Sequence, residues 1–341
     1  MTPRRFNRIM TAQVETLRRE ELIPAELHAT LAERYRFEGW NWLSLGRWLL
    51  LFGVVSVAAG IYFLATEVFK LTLEAGAVAL AIAVAAAFGI AQVLARRGLT
   101  WSRRSLELFG GLLLIGLTFV LGLIFSSGSG NWPALLLIDL IVLLALTYAL
   151  NNVLLLVLSM IVFFTWFGGV TGYSSGWGAY WFGMNYPLRF FFAGVAIAGI
   201  GVQHRLSEEG ALASYRGFFK VWLSAGVFFV EMALWLMSLF GNFGSIEEYQ
   251  EASAGELWFF NLLWAGGNAV LLQLGLRHGL RMLRGYAVTF LIIQAYTIFF
   301  WWIAGSLGLV LSTFIAGAVT LALVVHLEKR RRSARAEAES A

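Results

Sequence analysis

The sequence predicts an all-α integral membrane protein with about ten transmembrane helices behind a short cytoplasmic N-terminal helical hairpin. Three observations predict it. Of the 341 residues, 59% are hydrophobic and only 13% charged, with a mean hydropathy of +0.75, whereas globular domains hold about 45–50% apolar and about 25% charged residues. From Leu45 onward, apolar runs near the ~20 residues needed to span a bilayer recur almost without pause. Lys and Arg, finally, fall in short blocks in alternate connections, which is a topology signal.

The first 44 residues are polar, lack an apolar leader core and predict no cleaved signal peptide. Phe6, Ile9, Met10, Val14 and Leu17 recur at helical spacing between arginines and glutamates, and so predict an amphipathic helix. Glu21 to Pro24 breaks it. A second helix is expected with Pro24 at its start, Glu26 in its first turn, and Leu27, Leu31 and Tyr35 on one face. Two such helices bury little alone, so residues 1–44 are expected to pack on each other and against the membrane surface or a protein partner, or else to form a solvated leader.

The predicted transmembrane domain covers residues 45–327, with span cores at 47–66, 74–95, 106–125, 132–149, 152–170, 187–203, 219–240, 257–276, 285–304 and 307–327. All of the 25 Lys and Arg residues except Lys70 and Arg189 fall at the N-terminus, in every second connection, or in the tail. Positively charged short connections stay in the cytoplasm, so both termini are expected there. The turn at Asn151 and Asn152 carries no charge, and its side follows from parity alone. On the opposite side, residues 171–186 are rich in glycine and aromatics, which suits the headgroup level. Ser245 and Glu248, in loop 241–256, are spaced as a capping box. Asn131-Trp132-Pro133 and Asn185-Tyr186-Pro187 each open a span with proline in the first turn. The tail, 328–341, starts with a basic cluster suited to anionic lipid and then becomes disordered.

The Leu-rich hairpin from Gly122 to Phe167, introduced by Ser127 to Pro133 and ending in aromatics, resembles the middle of the prokaryotic multi-pass membrane proteins of the domain of unknown function 2157 family. The leading helical hairpin and glycine-containing first span are similar to how that family begins. The resemblance covers roughly the first half of the chain, and Ala65-Thr66-Glu67-Val68 departs from the family's pattern. It implies a multi-pass protein of the bacterial cytoplasmic (inner) membrane and supplies no activity. An excess of arginine over lysine also points to a bacterium.

Glu231 sits near the middle of the run 219–240, where a carboxylate is costly and marks a site by default. Asn261 and Asn268 lie seven residues apart on one face of the next span, and Gly266-Gly267 would let a neighbouring backbone approach or the helix break. Gln294 falls at similar depth. Counting about 1.5 Å per residue places Glu231, Asn268 and Gln294 near the midplane, where they are expected to share one pocket. A carboxyl that takes up and loses a proton as water reaches it suits a proton-coupled carrier of a small solute or lipid-linked group; the same carboxyl hydrogen-bonded across a helix interface would be structural glue. Asp139 is the second intramembrane acid, expected to join that pathway or to pair with Arg189.

Other chemistries are disfavoured. With no cysteine there is neither disulfide nor thiolate metal site. His28, His204, His278 and His326 lack ligand spacing and read as interfacial polar residues, so no metal or other cofactor is implied. Gly172 to Gly176 spells G-x-S-x-G, but Ser174 is predicted across about 30 Å of hydrocarbon from every histidine, which argues against a serine hydrolase. No catalytic residue is assigned, and an enzyme acting on lipid would need Glu231 and Asp139 in one cavity. Gly110-Gly111 and Gly199-Ile200-Gly201 lack a phosphate loop's context and predict close helix packing. Basic residues beside apolar runs point to the bilayer and its anionic lipids, not to nucleic acid. The alternative to a carrier is a non-catalytic membrane scaffold or sensor acting through residues 1–40.

Overall fold

The computed structural model describes most of residues 10–35, isolated positions between 46 and 60, residues 72–125, 131–174, 181–242 and 252–303, and most of 308–325. Its described residues form a multi-pass, all-α membrane protein. Eight helices are long and apolar enough to cross a bilayer, and an additional apolar helix at Val310–Ala322 is shorter than a span. The expected first span, 47–66, lies largely outside the described residues, whereas most of the expected tenth, 307–327, is described and forms that shorter helix.

The chain divides into two compact units. The first combines Met1–Lys70 with Ile90–Phe109. Within it, α1 (Ala25–Arg34) starts after Pro24 with Glu26 in the first turn and Arg34 in the last, both favourable to the helix dipole. Residues 13–18 are also helical. The Thr11 hydroxyl donates to the Tyr35 carbonyl at 2.7 Å, His28 lies 3.4 Å from the Glu15 carboxylate, and Val14 is buried. Arg103 and the buried Glu107 form an i,i+4 ion pair at 2.6 Å.

The second unit combines Leu71–Gly89 with Gly110–Ala341. Among the described residues the membrane-spanning helices of the chain are α2 (Leu73–Arg96) and α3 (Thr100–Ile124), each divided between the units, and α4 (Trp132–Leu150), α5 (Val153–Ser174), α6 (Tyr186–Leu206), α7 (Phe218–Phe240), α8 (Ala254–Arg277) and α9 (Arg281–Ile298) of the second. A π-helical turn, Phe299–Ile303, continues α9. These boundaries reproduce eight of the ten expected spans to within a few residues.

Sequence chemistry sets the ends. Pro133 and Pro187 occupy the first turns of α4 and α6, where a missing N–H costs nothing. Asn151 closes α4 in the left-handed conformation, at φ 50°, which asparagine tolerates better than most residues. At α8 the cap is Ser253, whose hydroxyl accepts from Glu256 N–H. Ser245 and Glu248, the expected capping pair, lie outside the described residues.

Within the second unit, α7 is the hub, packing against α5, α6, α8 and α9. Its closest neighbour is α6. A Cβ placed on Gly226 would meet the Gly194 carbonyl oxygen at 2.6 Å and the Ala198 backbone, and one on Gly201 would meet Leu223 N at 2.6 Å. Small residues thus let two backbones touch, the packing device that replaces the hydrophobic effect inside lipid. Gly199 does not take part, since nothing lies within 4 Å of its Cβ position. Gly111 meets the expectation, for a Cβ there would reach Leu155 on α5 at 2.9 Å.

The connections also sort by end. Asn151 Nδ2 donates to Ser214 O at 2.8 Å, tying the uncharged α4–α5 turn to the α6–α7 connection that carries Arg205 and Arg216. Phe219, Leu223 and Leu283 share a core cluster with Leu280, which brings the α8–α9 connection to that end. At the other end Asn185 Nδ2 donates to Gly241 O, Asn242 Oδ1 accepts from Asn185 N, and Glu256 accepts from Asn242 N at 2.6 Å.

Candidate functional site

On α7, Ser224, Glu231 and Ser238 recur every seven residues, about two helical turns, and so line one face. Each contributes a polar group to the packing of α7 with α8 and α9. Ser224 Oγ and Tyr286 Oη on α9 lie 2.8 Å apart. Trp235 Nε1 donates to Thr297 Oγ1 on α9 at 2.9 Å, and the Ser238 carbonyl accepts from Asn261 Nδ2 on α8 at 3.1 Å. From Ser224 to Ser238 the polar seam runs about 21 Å, roughly two-thirds of a hydrocarbon core of about 30 Å.

Glu231 holds the middle of this seam at 1% exposure. Its Oε2 accepts from Trp264 Nε1 at 2.6 Å and from Asn268 Nδ2 at 3.1 Å, both on α8. Trp264 and Asn268 are fully buried. Trp264, Asn268 and Asn261 project from one stripe of α8, being spaced by three, four and seven residues. No Lys or Arg among the described residues pairs with Glu231. Its environment is therefore two neutral N–H donors on one oxygen, within a cluster of Leu234, Trp264 and Phe290.

The donors and acceptors do not balance. Glu231 Oε1 accepts no hydrogen bond from the described residues. Asn268 Oδ1 and Asn261 Oδ1 are buried without a hydrogen-bonding partner among the described residues. Their orientation is fixed by the amide nitrogens: Asn268 Nδ2 donates to Glu231 and to the Trp264 carbonyl, and Asn261 Nδ2 donates to the Ser238 and Leu257 carbonyls. Flipping either amide would set an oxygen against carbonyl oxygens. The middle of the seam is thus rich in acceptors, and an unpaired buried acceptor costs about 1–3 kcal/mol. Such a site favours whatever brings a donor: a proton on the carboxyl, a water, an ammonium or a small cation.

Gln294 comes to the seam through the backbone, Nε2 donating to the Asn261 carbonyl at 2.7 Å. Glu231 and Asn268 therefore meet directly, Asn261 lies two turns along the same stripe, and Gln294 braces Asn261. Asp139 is placed elsewhere. It is 1% exposed on α4, both carboxyl oxygens lack a hydrogen-bonding partner among the described residues, and the Thr118 hydroxyl of α3 faces it. It does not pair with Arg189, which donates from Nε to the Asn185 carbonyl and lies 4.0 Å from the Tyr186 ring centroid. An arginine in the first turn of α6 reaches back toward its own cap, and that local geometry wins over the intramembrane acid.

Two expectations about α8 are corrected. Among the described residues nothing lies within 4 Å of the Cβ positions of Gly266 and Gly267, so no described backbone approaches there, and α8 continues unbroken from Ala254 to Arg277. The approach is made instead at Gly275, where a Cβ would meet Arg284 N at 2.9 Å. Trp264, the shortest contact of Glu231, is the residue that sequence reasoning missed. Its signal was present in its spacing, three residues from Asn261 and four from Asn268.

Ser174 donates its hydroxyl to the Thr171 carbonyl at 3.2 Å. Among the described residues no group of His, Asp and Glu has metal-binding geometry. His204 lies in the last turn of α6. It is 3% exposed, packed beside Tyr148 and Phe218, with neither ring nitrogen hydrogen-bonded among the described residues. Nearby, Glu208 caps the α6–α7 connection, accepting from Gly217 N at 2.7 Å and from Arg205 at 2.8 Å. Burial alone would raise the Glu208 carboxyl, but the Gly217 N–H and the Arg205 guanidinium outweigh it and hold the group below the usual glutamate value.

No family model, no curated protein and no solved structure matches the chain.

Proposed function

We propose that the protein is a membrane carrier of a small solute or lipid-linked group, in which Glu231 and Asn268 bind a proton or a small cationic group near the bilayer midplane. The observation that carries this reading is the surplus of buried acceptors beside the carboxyl: Asn268 Oδ1, on a residue hydrogen-bonded to Glu231, and Asn261 Oδ1 are both buried without a hydrogen-bonding partner among the described residues. A purely structural clamp would be expected to pair them. Asn261 and Gln294 extend the polar seam and serve as its hydrogen-bonding wall, while Asp139 contributes a separate buried carboxyl. In this reading the basic connections face the cytoplasm of a bacterial inner membrane, as the distribution of Lys and Arg supports. The resemblance to the domain of unknown function 2157 family adds no residue role.

The chain contains no cysteine, so single cysteines report accessibility without prior engineering. Asn268→Cys and Glu231→Cys, with controls in 96–105 and 252–256, are treated with an impermeant thiol reagent in intact cells and in inverted vesicles. Labelling at 231 or 268 from one or both sides supports a wet pathway to the midplane. Silence at both positions, with both controls reacting on opposite sides, would remove the carrier reading.

A second reading is a scaffold or sensor working through residues 1–40. It is favoured by the contacts Thr11 to Tyr35 and His28 to Glu15, together with the absence of any buried residue on α1, whose Leu27 is exposed. If removing residues 1–40 abolishes the cellular phenotype while Glu231→Gln leaves it intact, this reading replaces the first.

A further inference from the structure

The face of α7 beside the polar seam opens into a groove of about 690 Å³. Helix α5 supplies one wall, including Val157 and Phe164, and α9 supplies the other, including Tyr286. Between them α7 contributes Lys220, Ser224 and Phe228. The volume is that of a small-molecule site, but the chemistry is that of a lipid site. Among the described residues its lining contains no carboxylate, the Ser224 and Tyr286 hydroxyls already satisfy each other at 2.8 Å, and the Thr165 hydroxyl donates to the Ile161 carbonyl. What is left is an apolar trough with one cation at one end.

Position along the membrane identifies the occupant. Lys220 stands in the first turn of α7, at the end that carries the basic connections. Phe228 and Phe229, which also line the groove, lie eight and nine residues further on, about 13 Å deeper. That is close to the depth of one leaflet, half of about 30 Å. Lys220 is exposed, has no acidic partner among the described residues and lies 5.8 Å from the Phe219 ring centroid. An ammonium at headgroup level above a leaflet-deep apolar trough complements an anionic phospholipid, phosphate on the lysine and one acyl chain in the groove. A zwitterionic headgroup would bring its own ammonium beside the lysine and cancel the attraction of its phosphate.

We infer that the α5–α7–α9 groove is a selective site for one anionic phospholipid, with Lys220 as its headgroup contact. This goes beyond the carrier reading and does not depend on Glu231. The test uses the full chain in phosphatidylcholine nanodiscs carrying trace phosphatidylglycerol photoactivatable on its acyl chain. Cross-links are expected to concentrate in 157–165, 220–229 and 282–286. Excess unlabelled phosphatidylglycerol should compete them away about five-fold better than phosphatidylcholine does, the preference expected for one interfacial cation. Lys220→Gln should erase that preference, Lys220→Arg should keep it, and Ala225→Trp, which fills the trough, should remove the cross-links themselves. Cross-links spread evenly over lipid-facing helices would overturn the inference. So would an unchanged preference in Lys220→Gln, or an Ala225→Cys chain that forms a disulfide-linked dimer through the groove, which would make a second copy the occupant.

Discussion

Substituting Trp264 by phenylalanine isolates the shortest bond of the buried carboxyl. The ring is kept, with its edge contact to Phe290 at 6.4 Å between centroids, while the Nε1–H that reaches Glu231 at 2.6 Å is lost. Glu231 then retains only the Asn268 bond at 3.1 Å. Hydrogen bonds to charged groups are worth about 1.5–3 kcal/mol in soluble proteins, whereas interhelical bonds in membranes average about 0.6 kcal/mol and reach about 1.7. A bond this short on a carboxyl this buried belongs near the upper membrane value, so W264F is expected to destabilise by about 1–2 kcal/mol. Reversible unfolding in mixed micelles, followed by helix loss, measures it. The decisive form is a double-mutant cycle with Glu231→Leu, because contacting residues couple by about 0.5–3 kcal/mol and independent ones add to within about 0.3–0.5. Coupling of about 1 kcal/mol or more is expected. A cycle that closes to within its additivity limit would refute the direct Trp264–Glu231 bond and, with it, the acceptor inventory built around it.

Two further perturbations separate glycines and carboxyls by environment. Gly226→Val drives side-chain atoms into the Gly194 carbonyl and the Ala198 backbone and should cost about 1–3 kcal/mol or more, as overpacking does. Gly266→Ala meets nothing within 4 Å and should stabilise by up to about 1 kcal/mol through helix propensity; equal effects at the two sites would refute the α6–α7 contact. Glu208 has a lowered folded-state pKa, so its stabilisation is present above the ordinary glutamate value and is lost as pH falls through the lowered one. Protection against hydrogen exchange in 207–217, taken relative to the intrinsic chemical rate at each pH, should therefore fall on acidification in the native chain and lose that pH dependence in Glu208→Gln; an unchanged profile in the variant would assign the effect to other groups.

The spans were legible because the bilayer imposes length and composition on each of them, and because Lys and Arg mark connections. Depth was legible too. Counting residues at a constant rise brings Glu231 and Asn268 to one level, and they do bond. Rotation was not. Gly266 and Gly267 adjoin Asn268 in sequence but point elsewhere on α8, whereas the seven-residue spacing that groups Asn261 with Asn268 continues to Gly275, the glycine that is contacted. Trp264 belongs to the same stripe and was passed over because tryptophan in a span reads as apolar bulk, although its indole N–H needs a partner when buried. Asp139 and Arg189 illustrate the remaining limit. Opposite charges placed toward the same face of the membrane suggested a pair, yet Arg189 is taken by its own helix cap and the Tyr186 ring.

Exchange of the Trp264 indole proton tests the reach of water to the acceptor-rich middle of the seam most directly, since it leaves every residue of the site in place. In ¹⁵N-indole-labelled protein in nanodiscs, with the resonance assigned by W264F, the Nε1–H is predicted to exchange with D₂O far faster than the backbone amides of α7 and α8 around it. A Trp264 proton as protected as those amides, released only when the helices themselves unfold, would contradict a carrier and leave Glu231 as a sealed interhelical clamp.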